Sequence, residues 1–280
     1  MVNVFSISLL LWLLRMATFM AQRIRTLIFL SLLNLPFFMT QAWSICLDEF
    51  DGSWYLSAGA GRSMYRMDTN NYINPGPGWP NDYYYKNDIH DGSFIDVGGG
   101  YSLIRYTPWF PGFMLGIDYT YAFQANVTGF IKQYTLDQFL NYSYSYDFSR
   151  QTVLALFKAT IYRYNGFMPY LTIGTGPSFN RASDYSEEPL AGVTPRVSPG
   201  YGTSTHNSWA YILGVGFDYI LRDDVALGFE YNYGDFGKVY TSNGAGTPMV
   251  TGVNYSGQHL SNTLKANTFL MRFTYLLDCK

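Results

Sequence analysis

The segment Thr205-His206-Asn207-Ser208 sets an imidazole two residues from a hydroxyl, the side-chain types of a general base and a nucleophile. A serine becomes nucleophilic only when an oriented base takes its proton. Here the spacing is a common one. In an alternating segment His206 and Ser208 also fall together on the side that carries glycines, so no catalysis is expected. The other two histidines, His90 and His259, stand alone in connecting segments. A metal site needs several converging ligands, and neither has them, so no metal or other cofactor is expected.

Six charged residues occupy more telling positions. Asp96, Asp118, Lys158, Asp218, Glu230 and Arg272 each fall in a segment whose opposite face is apolar, and they share the small, glycine-rich face. Charges confined to a narrow, low-dielectric space should pair, because an isolated buried ion is costly. Heights counted along the chain match Glu230 with Arg272 and Asp118 with Lys158. Such pairs fit either a gate of small conductance or a plug that holds the fold together. Tyrosines make a third group: Tyr83, Tyr84 and Tyr85 run together, and Tyr142, Tyr144 and Tyr146 alternate with serines. Tyrosine among Ser, Gly and Asn is the composition of adaptable contact surfaces; tyrosines at strand ends also form the aromatic girdle of a membrane barrel.

Eight segments must position these residues. Trp54, Leu56, Ala58 and Ala60 begin the series, and Ile95, Val97, Tyr101 and Leu103 form the second. Odd-numbered apolar residues continue it through 113–123, 153–161, 171–173, 209–219, 225–233 and 269–275. Period-two alternation marks strands with two unlike faces. The composition agrees, with 26 Tyr, 21 Phe, 6 Trp and 27 Gly against 14% charged residues. A soluble, lipocalin-like barrel would turn the apolar face inward. An eight-stranded barrel, however, has an interior just wide enough for side chains, and this crowd of aromatics would overfill it. A glycine-rich exterior would also weaken every strand. Turned the other way, glycines such as Gly59, Gly98, Gly116, Gly214 and Gly228 leave room inside for the six charges, and the aromatic face meets lipid.

The amino terminus is of another kind. Arg23 and Arg25 precede an apolar run from Thr26 to Met39 and small residues at Ala42 and Ser44, the pattern of a cleavable secretory signal over residues 1–44. Asn34 and Pro36 interrupt the run, which is shorter than the roughly 20 residues of a membrane-spanning helix. A start at Met20 would make residues 1–19 an upstream extension. Residues 45–280 then carry 15 basic and 20 acidic side chains. That balance offers no basic patch to nucleic acid.

Connections alternate in length. Short ones surround Pro108 and Pro111, Asn165-Gly166 and Asp223-Asp224, whereas about 62–92, 125–150, 178–207 and 234–264 are long. Outer-membrane barrels distinguish their periplasmic and extracellular ends in this way. The expected fold is therefore all-β: an eight-stranded antiparallel up-and-down transmembrane β-barrel with short periplasmic turns, four long extracellular loops and both termini periplasmic. Closure would bring Cys46, before the first strand, beside Cys279, after the eighth, in a compartment where thiols oxidise. A disulfide is the expectation; Trp43-Ser44-Ile45 is a poor context for lipidation of Cys46.

The segments WYLSAGAGRS (54–63), LGIDYTYAF (115–123), PYLTIGTGPSF (169–179) and NTFLMRFTYL (267–276) resemble those of the OmpA-like and opacity-type eight-stranded outer-membrane barrels. The likeness covers most of residues 50–278 and lies in strands, not loops. It implies insertion by the barrel assembly machinery and contact with outer-membrane lipid and lipopolysaccharide. Phe269, Phe273 and Tyr275 resemble the terminal signal that the machinery reads, although the chain continues to Lys280. Lipid A deacylases of this barrel size offer a His and Ser dyad to lipid, whereas His206 and Ser208 have the opposite parity. Solute-conducting porins need about sixteen strands. The favoured function is a monomeric structural or adhesive surface barrel, with a host-surface or matrix ligand for its loops. A small-conductance pore is the second reading.

Overall fold

The computed structural model describes residues 51–67, 71–75, 78–105, 107–245, 255 and 257–277. The expected signal segment, Cys46 and Cys279 lie outside the described residues. Ten strands are described: β1 (Asp51–Met67), β2 (Asn71–Ile73), β3 (Asp82–Ile89), β4 (Gly92–Ile104), β5 (Trp109–Lys132), β6 (Leu140–Tyr162), β7 (Phe167–Pro189), β8 (Ser204–Arg222), β9 (Val225–Tyr240) and β10 (Ser261–Leu277). Eight of them close a ring in the order β1-β4-β5-β6-β7-β8-β9-β10, with β10 pairing back onto β1 and every contact antiparallel. The eight-stranded barrel expected from the alternation is the fold. The remaining two, β2 and β3, form a hairpin laid against the far half of β5.

Turn chemistry matches the sequence at Asn165-Gly166. Both residues have positive φ, 46° and 82°, as a two-residue type I′ turn requires. Tyr164 and Phe167 exchange both backbone hydrogen bonds across it, at 3.0 and 2.8 Å.

β6 shows how one strand serves two solvents. Its inward side chains, Phe148, Arg150, Leu154 and Lys158 among them, are buried from Tyr142 to Thr160. Its outward side chains change character once: Asn141, Ser143, Ser145, Asp147, Ser149 and Gln151 above, then Val153, Ala155, Phe157, Ala159 and Ile161 below. An exterior that is apolar over one band and polar beyond it is the profile of a strand leaving lipid for water.

The strands run further past that boundary than the sequence suggested. Residues 125–150, expected as a long loop, are mostly strand: β5 reaches Lys132, β6 begins at Leu140, and two short 3-10 turns, Gln133–Thr135 and Asp137–Phe139, join them. The Tyr-Ser alternation of 142–146 is a strand pattern that continues above the lipid. In β5 a register shift between Ala122 and Ala125 exchanges the two faces, as bulges do. Leu115, Ile117 and Phe123 point outward below it, and Val127 and Ile131 are buried above it.

Candidate functional site

Two connected regions of the interior carry the unusual chemistry. The first is the lumen at the level of the apolar band. Asp96, Asp118, Lys158, Asp218, Glu230 and Arg272 are all buried there, at 2–6% exposure. Arg272 of β10 donates from Nη2 to Asp96 of β4 at 2.8 Å and to Asp118 of β5 at 2.5 Å. Lys158 of β6 pairs with Asp218 of β8 and lies over the Tyr170 ring, 3.7 Å from its centre. Glu230 accepts from the Tyr170 hydroxyl at 2.9 Å and from Asn232 Nδ2 at 2.6 Å.

These are not the pairs expected from height along the chain, Glu230 with Arg272 and Asp118 with Lys158. The glycines explain the difference. Arg272 sits opposite Gly59, and Gly59 sits opposite Asp96, so the guanidinium crosses a strand that has no side chain in the way. Tyr170 reaches Glu230 in the same manner over Gly216, where a Cβ would lie 2.7 Å from the Tyr170 ring. Asp118 leans over Gly98, where a Cβ would lie 2.0 Å from its carboxylate oxygen. Arg272 with Asp96, and Tyr170 with Glu230, thus stand two strands apart with a glycine between them.

Arg150, which the sequence reading passed over, closes the next layer up. It is 2% exposed, its guanidinium lies 3.4 Å from the centre of the Phe236 ring, and Nε and Nη1 have no hydrogen-bond partner. A cavity of about 30 Å³ separates it from the Arg272 layer. That is room for about one water molecule. Its inward parity in Ser149-Arg150-Gln151 was the available signal.

The second region fills the long-loop end. Tyr84, Tyr142, Tyr144, Tyr146, Phe148, Ile131, Val239 and Leu264 belong to one buried apolar cluster. At its heart Arg196, from the segment after β7, joins two acids. It donates from Nε to Glu187 Oε2 at 3.0 Å and from Nη2 to Oε1 at 3.2 Å, and pairs through Nη1 with Asp82 of β3. Tyr84 donates to Glu187 at 2.8 Å, Tyr185 also donates to it, and the Tyr134 amide donates to Asp82 at 3.1 Å. Burial pushes the Asp82 carboxyl above its ordinary range, with Arg196 opposing. It also holds the Tyr84 and Tyr185 hydroxyls protonated far above theirs. Asp82, Glu187 and Arg196 lie in three separate stretches of sequence, so nothing in local spacing announces them.

The tyrosine candidates divide accordingly. Tyr84, Tyr142, Tyr144 and Tyr146 are 0–4% exposed and point inward, so they are neither contact residues nor a girdle. Tyr83 and Tyr85 lie on the outer face of the hairpin. Tyr72 stacks on Tyr83 with ring centres 4.8 Å apart, Tyr83 on Tyr85 at 5.5 Å, and Lys132 Nζ sits 4.5 Å from the Tyr85 ring centre.

His206 packs edge-on against Tyr240, ring centres 4.3 Å apart, and the Ser208 hydroxyl is held by the Lys238 backbone, accepting from its N–H at 3.0 Å and donating to its carbonyl at 3.3 Å. Among the described residues no group of three or more potential metal ligands converges.

The chain is similar to several solved structures. Neisserial surface protein A shares 15% identity over 81% of this chain and 99% of its own, with a TM-score of 0.42. The outer membrane protein OprG from Pseudomonas aeruginosa shares 15% over 82% and 98%, with 0.45, and the attachment invasion locus protein Ail of Yersinia pestis 13% over 81% and 99%, with 0.38. No curated protein matches the sequence. The model of the outer membrane protein beta-barrel domain matches residues 30–275. With that match running over most of its length, the chain belongs to this family of bacterial outer-membrane barrels.

Proposed function

We propose that this protein is a closed surface barrel, a structural anchor that holds a rigid head outside the cell for contact with a host-surface or matrix ligand. The single observation that carries this reading is the filled interior: the Arg272 and Arg150 layers and the aromatic cluster above them obstruct the lumen at successive levels. A pore needs a continuous wet path, and the space between the two layers is about 30 Å³. On this reading the long-loop end is extracellular and both termini are periplasmic, as the alternation of turn lengths supports. The contact surface is the stacked row Tyr72, Tyr83 and Tyr85 beside Lys132, where rigid aromatic faces meet solvent at little entropic cost. Catalysis has no support from Ser208, whose hydroxyl is bound to the strand beside it.

Two measurements test the reading. In planar bilayers the purified protein should be silent; steady conductance by the wild type would instead favour the pore. In adhesion to cells or matrix, replacing Tyr72, Tyr83 and Tyr85 by serine should abolish binding without changing the folded band on unboiled gels. Unaltered adhesion by that variant would remove the aromatic row from the proposal.

A further inference from the structure

The tip of the β5–β6 hairpin is apolar although water surrounds it. The run of β6 from Leu140 down to Gln151, the last outward residue before the wall turns apolar, measures roughly 40 Å at about 3.3 Å per residue. With barrel strands tilted by roughly 40°, the tip stands about 30 Å above the lipid. Leu136 and Leu140 are exposed there, and so is Trp79 from the β2–β3 connection. Trp79 stacks on Tyr134, ring centres 5.3 Å apart, and Phe139 meets the Tyr134 ring edge-on at 5.7 Å. These side chains are too far from the barrel's own bilayer to belong to its aromatic girdle, and an exposed apolar cluster in water marks a contact.

The backbone is strained to build it. Tyr134 and Thr135 have φ of 57° and 61°, a left-handed conformation that bulky and β-branched residues avoid. Two bonds hold them there: the Tyr134 amide donates to Asp82 at 3.1 Å, and the Thr135 hydroxyl donates to the Asn81 carbonyl at 2.7 Å. Asp82 is itself fixed by Arg196, so the buried network of the head sets the phenol ring against the indole. Strain that the surrounding structure enforces is characteristic of ligand clamps.

The rim of the cluster is acidic. Asp137 is exposed and pairs with Lys132. On β7, next to β6, Asp184 and Glu188 are exposed and in no ion pair among the described residues. Aromatic rings beside carboxylates attract an organic cation, and quaternary ammonium groups are recognised in this way. A phosphate or sulfate group would meet the same acids as repulsion. Leu136 and Leu140 add an apolar wedge that suits the glycerol level beneath a lipid headgroup.

We propose that this tip is a binding site for the choline headgroup of phosphatidylcholine in an apposed membrane. The trimethylammonium would lie on Trp79 beside the acidic rim, with Leu136 and Leu140 dipping toward the glycerol level. The apposed position of that membrane rests on the proposed extracellular orientation of the long loops; the recognition of choline does not.

The test uses the folded full barrel in nanodiscs of phosphatidylethanolamine and phosphatidylglycerol, floated with phosphatidylcholine vesicles, with empty discs as the baseline. Wild type should bind, and excess phosphocholine should compete. Trp79→Ser should weaken binding about tenfold, the loss of one desolvated cation–π contact. Leu136→Ser should weaken it as well, Trp79→Tyr should retain most of it, and vesicles of phosphatidylethanolamine or phosphatidylglycerol should bind poorly. Wild-type binding by both serine variants overturns the site. Equal binding to phosphatidylethanolamine vesicles, or no competition by phosphocholine, overturns the choline assignment. Absent vesicle binding alongside Trp79-dependent adhesion to cells would give the tip to a protein or glycan and overturn the proposal likewise. Folding of each variant is read from its unboiled gel band. Pure lipid vesicles carry no ligand for the Tyr72, Tyr83 and Tyr85 row, so failure of one surface is read apart from failure of the other. An epitope inserted at the exposed turn residue Gly192 and sought on intact cells tests orientation; its absence from the surface overturns the apposed membrane and leaves the vesicle result standing.

Discussion

Replacing Arg196 by glutamine should open the head of this protein at neutral pH and leave its barrel closed. The guanidinium supplies both of the ion pairs that hold β3, β7 and the segment 190–203 together, and the side chains of Arg196, Asp82 and Glu187 are only 14, 1 and 3% exposed. Removing one partner from a buried pair costs about 3–5 kcal/mol, because the remaining charges stay buried and unpaired. At about 1.4 kcal/mol per factor of ten, even the lower figure raises the opened population by roughly two orders of magnitude. The effect carries a signed pH dependence. Burial already lifts the Asp82 carboxyl above its ordinary value, and the charge and hydrogen bond of Arg196 are what oppose that rise. A carboxyl with a raised folded-state pKa holds more protons folded than unfolded, so its contribution to stability grows as pH falls through the folded pKa and is lost as pH rises. Without Arg196 the Asp82 carboxyl rises further. The variant should therefore be loosest at neutral pH and recover on acidification toward the ordinary carboxylate range. Hydrogen exchange of the β3 amides, whose ladder partner is β5, reports the opening, and β10 amides in the same sample serve as the control. Wild-type protection of β3 in Arg196→Gln at neutral pH would refute the reasoning, and so would an opened β3 that acid fails to restore.

Adjacent tyrosines should behave oppositely. Tyr84→Ala removes a fully buried ring and a hydrogen bond to Glu187 and should cost about 3–5 kcal/mol of head stability, whereas Tyr83→Ala on the outer face should cost less than about 1 kcal/mol; protease resistance of the loops distinguishes them. Gly98→Val should drive Asp118 off Arg272, since its Cβ would lie 2.0 Å from the carboxylate; thermal unfolding in detergent should fall well below that of Gly99→Val, whose nearest neighbours stand at 3.1 Å. Unboiled protein should run faster than boiled protein on SDS gels, and identical mobility would contradict a closed ring.

The eight membrane strands were legible because lipid on one side and a narrow lumen on the other impose period two with opposite polarity. Trp209, Tyr211, Leu213, Val215 and Phe217 need no tertiary information to be placed on one face. What could not be read was where that period changes phase or meaning. The bulge between Ala122 and Ala125 transfers Val127 and Ile131 from the outward to the inward set. Above the lipid aromatic residues gather inside, so that Tyr142, Tyr144 and Tyr146 are inward although Tyr119, Tyr211 and Tyr231 below are outward. A composition rich in Tyr and Ser suits both an adaptable loop and a strand with an aromatic core on one side, and only the partner strands decide.

The mispaired charges teach the same lesson about the lumen. Counting height along the chain treats adjacent strands as the natural partners, but Arg272 and Tyr170 each reach a partner two strands away, where a glycine clears the path. Arg272 over Gly59 to Asp96, and Tyr170 over Gly216 to Glu230, follow one rule. At these two places the glycines choose the partners as well as making room for them. Given closure order and register, a search for long polar side chains flanking a lumen glycine would have found both contacts from the sequence, and it would not have found Arg196, whose partners are set by loops that no strand register constrains.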